Sequence, residues 1–149
     1  VNYEKEGVRV SPSAHGLGVF SLRPFHGQQL IGRVAGEIQA DPNYESDYCM
    51  ELGSHLALEP AAPFRYLNHS CQPNCALVEI KARNPQPSGG KTELWVEALV
   101  EIDPGEQMTI DYAWPANGAI PCECGAVNCR GWIVAADERD QVDPARPQP

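Results

Sequence analysis

Apolar positions in this chain come in short runs, and glycine, proline or polar clusters break each run before it reaches helical length. Residues 7–10 and 18–22 read as short strands, with Ser11-Pro12-Ser13-Ala14-His15-Gly16-Leu17 between them as a loop by composition. Pro24 to Gln28 reads as a turn. Leu30 to Ile38 reads as one strand interrupted at Gly32 and Gly36. After a polar connector over 41–47, residues 48–52 and 56–59 flank Gly53-Ser54-His55 in a hairpin-like pattern. Pro60 and Pro63 stop that strand, and Phe64 to Leu67 suits one helical turn. Residues 76–82 and 94–99 are two further strands, expected to pair across an exposed, mobile loop at 84–91. Asp103-Pro104-Gly105-Glu106 is a turn, followed by a strand over 108–112. From Ala135 the chain is charged and Pro-rich, and 137–149 is expected to be a disordered tail. The pattern predicts a mainly β domain of short strands with a small C-terminal metal lobe.

Composition narrows the partners. At 149 residues the chain is one domain by size and can bury a core without staples. Net charge is −9 and no basic cluster is present, so direct nucleic acid binding is not expected. An acidic surface suits a basic partner such as a lysine-rich tail, and it also serves solubility. No apolar stretch is long enough to span a bilayer, so no membrane partner is expected, and no signal peptide is visible. Three of six cysteines crowd into Cys122-x-Cys124-x4-Cys129, a spacing closer to a metal knuckle than to a disulfide framework. That favours a reducing, intracellular setting, nucleus or cytoplasm.

Candidate chemistry concentrates in Arg65-Tyr66-Leu67-Asn68-His69-Ser70-Cys71-Gln72-Pro73-Asn74-Cys75. Zinc takes four thiolate or imidazole ligands in a tetrahedron. Cys122, Cys124 and Cys129 supply three, and Gly125 lets the backbone fold tightly around them. Cys71 and Cys75 are both candidates for the fourth, and Cys49 is a weaker one. Three buried thiols, or a disulfide and a spare, would be the structural alternative. Gly16-Leu17-Gly18 would let backbone approach a ligand, although from this motif alone an ordinary turn pair is the stronger reading. Asn68 and His69 could bind an adenine or a carboxylate, or be satisfied structural groups. Tyr112 could present a catalytic hydroxyl or simply bury its ring. No Ser-His-Asp order, phosphate loop or HExxH helix appears. A zinc site closed by four thiolates would be structural rather than hydrolytic.

Taken in order, these pieces closely resemble a SET domain, the fold of protein-lysine methyltransferases. Gly16-Leu17-Gly18-Val19-Phe20 is similar to the family's GxG block, and Ala35-Gly36-Glu37-Ile38 to its Val-Gly-Glu strand. Residues 65–74 are similar to RFINHSCxPN and residues 105–112 to GEELTFDY. Cys122-Glu123-Cys124-Gly125 through Cys129-Arg130-Gly131-Trp132 is similar to the post-SET CxCGxxxCRG segment. The resemblance implies a SET domain over 7–114 with a pseudoknot that threads the central block beside the 106–112 strand. It implies a post-SET zinc segment over 121–133. S-adenosylmethionine would be the cofactor, held around Gly16, Leu17 and Gly18 with Asn68, His69 and Tyr112, by Trp132 near the adenine, and more weakly by Tyr48 and Arg65. Zinc would be held by Cys71, Cys122, Cys124 and Cys129, so the resemblance selects Cys71 over Cys75. Tyr112 would orient the transferring methyl. The substrate would be a protein or peptide with an accessible lysine, such as a histone or other basic tail.

The chain departs from the family pattern at Ile110, where many members carry Phe or Tyr, and at Val34, where Tyr is frequent. The segment between Ile38 and Pro63 is short, and no cysteine-rich segment precedes Gly7. These departures keep a second reading open, a catalytically silent SET module that binds a peptide or protein. A structural zinc-binding β domain without cofactor is a third.

Overall fold

The computed structural model describes residues 1–53, 56–83 and 92–145. Its strands in chain order are β1 (Asn2–Tyr3), β2 (Val8–Ser13), β3 (Gly16–Ser21), β4 (Leu30–Arg33), β5 (Gly36–Gln39), β6 (Met50–Leu52), β7 (Leu56–Pro60), β8 (Asn68–His69), β9 (Cys75–Lys81), β10 (Thr92–Ala98), β11 (Gln107–Ile110), β12 (Ile120–Pro121) and β13 (Trp132–Ile133). Among the described residues the helical pieces are three short 3-10 turns, at Phe64–Tyr66, Ala116–Gly118 and Ala136–Gln141.

The strands form four small sheets, ordered β1-β2-β3-β11-β8, β4-β10-β9, β5-β7-β6 and β12-β13. Strand β10 shows why the pattern works: Leu94, Val96 and Ala98 alternate inward and are buried, while Glu93, Trp95 and Glu97 lie between them. Their side chains meet Val8, Val19, Phe25, Phe64, Ile102 and Met108 in one core. Each fully buried side chain of this size stabilises by about 1.5–3 kcal/mol. The expected pairing of the 76–82 and 94–99 strands is observed, with Trp95 opposite Val78 and Val96 opposite Leu77.

Three expectations change. Residues 11–17 are not a loop, because β2 continues to Ser13 and β3 starts at Gly16, leaving Ala14 and His15 as the turn. Pro12 is tolerated there because β1 pairs only with Val8 and Arg9, so no neighbour asks for its missing N–H. The interrupted strand over 30–38 divides between two sheets, with Val34 hydrogen-bonded to Leu94 and Ala35 to Ala61 at the break. At Gly36 any Cβ would collide with the Glu59 main chain, so glycine is what lets β5 approach β7. The tail is ordered further than expected. Val134 is fully buried, Ala135 N–H donates to Trp114 O, and the Glu138 carboxylate accepts the Ala116 N–H at 2.7 Å. These contacts dock Ala136–Gln141 as a 3-10 turn. The expected loop at 84–91, Ser54 and His55 of the hairpin turn, and residues 146–149 lie outside the described residues.

The site is positioned by one unusual pairing. β8 lies parallel beside β11, with Asn68 opposite Thr109 and His69 opposite Ile110. Asn74 extends the contact through its side chain, donating to Gln107 O at 2.8 Å and accepting the Thr109 N–H at 2.9 Å. The amide thus does for β11 what a further backbone residue would do.

Candidate functional site

Each side chain on β8 is fixed by a different partner. The Asn68 amide nitrogen lies 3.0–3.1 Å from Leu17 O, Gln107 Oε1 and Ser13 Oγ. Gly18 makes room for this: a Cβ there would press on Gln107 Oε1 at 2.6 Å and Asn68 Nδ2 at 3.2 Å. His69 is buried, and its Nδ1 accepts the Tyr112 N–H at 3.1 Å. Its proton therefore belongs on Nε2, which points at Cys71 Sγ, 3.4 Å away. Burial holds the His69 pKa below its ordinary value, with Asp111 opposing and Arg130 assisting.

Tyr112 follows β11 and donates its hydroxyl to Leu67 O at 2.6 Å. Burial, with a smaller contribution from Tyr48, pushes its phenol up to about 12. Its ring stacks on Trp114, with centroids 5.4 Å apart, and tilts against His69 at the same separation. Between these rings and the cysteine segment lies a cavity of about 270 Å³ lined by His15, Asn68, His69, Tyr112, Trp114 and Glu123, with Ile120 and Ile133. His15 Nε2 reaches Glu123 O at 3.2 Å and so bridges the β2–β3 turn to the cysteine lobe.

The sulfurs of Cys71, Cys122, Cys124 and Cys129 all lie within 4.8 Å of one another, and those of Cys71 and Cys122 are 3.8 Å apart. A zinc tetrahedron with bonds of ~2.3 Å has sulfur–sulfur edges of ~3.8 Å, so the donor set fits that ion. Backbone N–H groups point at the sulfurs from outside: Cys71 to Cys124, Arg130 to Cys71 and Gly131 to Cys129, at 3.4–3.5 Å. Burial acts against the Cys124 thiolate, but the Cys71 and Ala126 amides and the Cys122 and Cys129 thiols draw its pKa down to about 6, while burial holds Cys122 above its ordinary value. Cys75 is a core residue in β9 whose thiol burial pushes up to about 12, and it stands apart from the four.

The structure brings Asn68, His69 and Tyr112 to the cavity, with Leu17 behind Asn68 and Gly16 and Gly18 on the adjoining strand. Tyr48, Arg65 and Trp132 are not among the lining residues. The Arg65 guanidinium sits 3.9 Å over the Tyr48 ring and 2.9 Å from Glu59 Oε1. The Ser46 hydroxyl, joined by Tyr44 and Arg65, holds that carboxylate below its usual range. Trp132 gives way to its neighbour Ile133 because successive residues of β13 face opposite sides. The indole at the cavity is Trp114, which the sequence reading missed. It lies two residues beyond Tyr112, past Ala113, whose φ of 48° turns the chain after β11. His15 and Glu123 were also missed, and each stands beside a residue that had been singled out.

A mainly β fold with a parallel edge strand, a cavity at Tyr112 and an adjoining four-cysteine group defines a class. Residues 16–113 match the SET domain family, and the chain belongs to it. Its relatives include the Arabidopsis thaliana histone-lysine N-methyltransferase ASHR3, 39% identical over 149 residues, covering 87% of this chain and 28% of that protein. The H3 lysine-4 specific histone-lysine N-methyltransferase of Schizosaccharomyces pombe is 32% identical over 146 residues, covering 87% and 15%. The chain therefore spans less than a third of the length of these relatives. Among solved structures, KRYPTONITE in complex with mCHH DNA, an H3(1-15) peptide and SAH superposes with a TM-score of 0.71 at 23% identity, over 85% of this chain and 29% of that one. That likeness shows the shared fold. Among the described residues no helix is long and apolar enough to cross a membrane.

Proposed function

We propose that this chain is the catalytic SET domain of a protein-lysine methyltransferase, with S-adenosylmethionine as methyl donor and a lysine of a histone or other basic tail as acceptor. The observation that carries the reading is the cavity that joins Tyr112, Asn68 and the aromatic face of Trp114 beside the cysteine lobe. Its aromatic faces, with Glu123 among the lining residues, suit a ligand that combines a flat base with positive charge. Asn68, His69, Tyr112 and Trp114, with backbone near Gly16 to Gly18, would hold the cofactor. Cys71, Cys122, Cys124 and Cys129 would hold a structural zinc in the 121–133 segment. The relatives' names support a histone substrate, which would put the action in the nucleus. The acidic balance of −9 favours the approach of a basic tail.

When bound, the cofactor supplies a methyl group on a positively charged sulfur. The chain's own residues supply alignment and a fixed polar wall. A lysine amine attacks only after losing its proton, which at an ordinary pKa near 10.4 costs about 4–5 kcal/mol at pH 7. Tyr112, pushed up to about 12, holds its own proton across that range and so does not take the lysine's. The proton leaves to water, and partial burial of the amine favours its neutral form. Because the Tyr112 hydrogen is committed to Leu67 O, the phenol oxygen keeps one orientation with its lone pairs free.

Labelled S-adenosylmethionine, incubated with the chain and a panel of histones and lysine-rich proteins, tests this. Transfer is expected to at least one protein, and Tyr112→Phe should lower the rate by about 10²-fold or more. If no protein is labelled and calorimetry shows no cofactor binding, the enzyme reading fails. Binding without transfer would instead support a silent module, the second reading. Val34 and Ile110, the family departures, are both buried in the core.

A further inference from the structure

The cavity beside Tyr112 takes one wall from Asn68 and His69 on β8 and another from residues 120–124 of the cysteine lobe. Two routes tie these walls to each other. One runs through sulfur. Cys71, three residues past Asn68, brings its Sγ to 3.8 Å from that of Cys122, inside the four-cysteine group.

The other route is made of hydrogen bonds. Asn68 Nδ2 donates to Ser13 Oγ at 3.1 Å. The same oxygen accepts the His15 N–H at 3.2 Å, and its own hydrogen goes to Gly16 O at 3.0 Å. One hydroxyl thus spends both acceptor positions and its donor on the β2–β3 turn, the turn that carries His15. The His15 ring, itself exposed, then reaches the Glu123 carbonyl, with Nε2 3.2 Å from the oxygen. A carbonyl only accepts, so Nε2 carries the proton and donates it. His15 and Glu123 both line the cavity, so this bond spans its edge.

The two routes differ in strength. One neutral hydrogen bond shifts an equilibrium by about tenfold or less, whereas a thiolate zinc site holds its segment far more tightly. A ligand that must enter and leave needs an edge that opens, and the single bond from His15 is the weaker of the two.

We infer that His15 is a latch on the cavity: its ring N–H, bonded to the Glu123 carbonyl, holds the β2–β3 turn against the cysteine lobe and so tightens the hold on the bound cofactor. The inference rests on the reading of the cavity as a cofactor site, and it gives His15 no part in methyl transfer itself.

Two measurements on the zinc-loaded chain provide the test, calorimetry with S-adenosylmethionine and amide exchange without it. His15→Phe keeps a ring in the wall but has no N–H, and should weaken binding by about three- to tenfold. His15→Gln keeps an N–H donor at similar reach and should stay within about twofold of the unmutated chain. Without cofactor, His15→Phe should speed exchange at residue 15, whose N–H is bonded to Ser13 Oγ, and at Cys122, whose N–H is bonded to Gly131 O. Strands β9 and β10 should keep their protection. Binding within twofold of normal in His15→Phe overturns the latch, and so does a loss in His15→Gln equal to that in His15→Phe. Weaker binding with unchanged exchange also overturns it, because His15 would then act on the ligand rather than on the edge. Should His15→Phe fail to fold, His15→Ala takes its place, with the same exchange expected and binding at least about threefold weaker. An unmutated chain that binds no S-adenosylmethionine overturns the cofactor reading and the latch's effect on it. Faster exchange in His15→Phe would even then support the bond between turn and lobe.

Discussion

Tyr112 has a protonated, anchored hydroxyl, and that state can be read directly. Its phenol is shifted upward, to about 12, so the folded state holds this proton more tightly than the unfolded chain does. The stability it contributes is complete below the unfolded value near 10 and is lost as pH rises from there through 12. Absorbance at the phenolate band should show a late-titrating tyrosine, and Tyr112→Phe should remove part of that late step. A phenolate signal complete by about pH 10.5 in the unmutated chain would contradict this. The same substitution leaves the Leu67 carbonyl without its donor, so thermal or denaturant unfolding should show a loss of about 1–3 kcal/mol. At this scale the sequence was informative wherever polar groups were dense along the chain, as at Asn68, His69 and Cys71. It was silent on Trp114 and His15, because a cavity wall gathered from residues far apart leaves no local pattern. The resemblance to the SET family implied Trp132, and the alternation of β13 brings its neighbour Ile133 to the cavity.

Among the elements, β5 and β7 show how one glycine sets a sheet. Gly36 stands opposite Pro60, and the space a Cβ would need is filled by the Glu59 main chain. Gly36→Ala should therefore force the two strands apart and destabilise by about 1–3 kcal/mol, as overpacked sites do. Urea unfolding measures this, and a change under about 0.5 kcal/mol would show that the strands can shift freely. Because Glu59 also anchors Tyr44, Ser46 and Arg65, the same substitution should raise amide exchange over 41–49. Strands β9 and β10 were legible because alternation over seven residues marks both partners and both faces. Strand β8 was not, since two residues have no period, and its parallel neighbour lies about forty positions away. Topology rules would also have argued against threading it there, and only the resemblance to the SET family implied it. The docked turn at Ala136–Gln141 was hidden by composition: a charged stretch reads as tail unless one residue, Glu138, is seen to cap a distant N–H.

For the molecule as a whole, the cysteine lobe touches the rest through Cys71, His15 and Arg130. Elemental analysis should find about one zinc per chain, lost in Cys124→Ser. Less than about half an ion in the unmutated chain would count against the site. Chelation should loosen residues 120–134 first, seen as faster amide exchange there while β9 and β10 keep their protection. Weaker cofactor binding should follow, because Cys122, Cys124 and Glu123 form one wall of the cavity.

The parallel partnership of β8 and β11 also bears on how the protein is made. As the chain leaves the ribosome, Asn68 and His69 emerge well before Thr109 and Ile110, and the cavity needs residues from His15 to Ile133. A nascent chain that ends before Ile110 has nothing to lay beside β8, and its buried ring and amides stay open to solvent. The site thus forms late in the synthesis of this stretch, and slowly in proportion to its long-range contacts. Fragments cut between β8 and β11 should regain a site only when the two pieces are mixed.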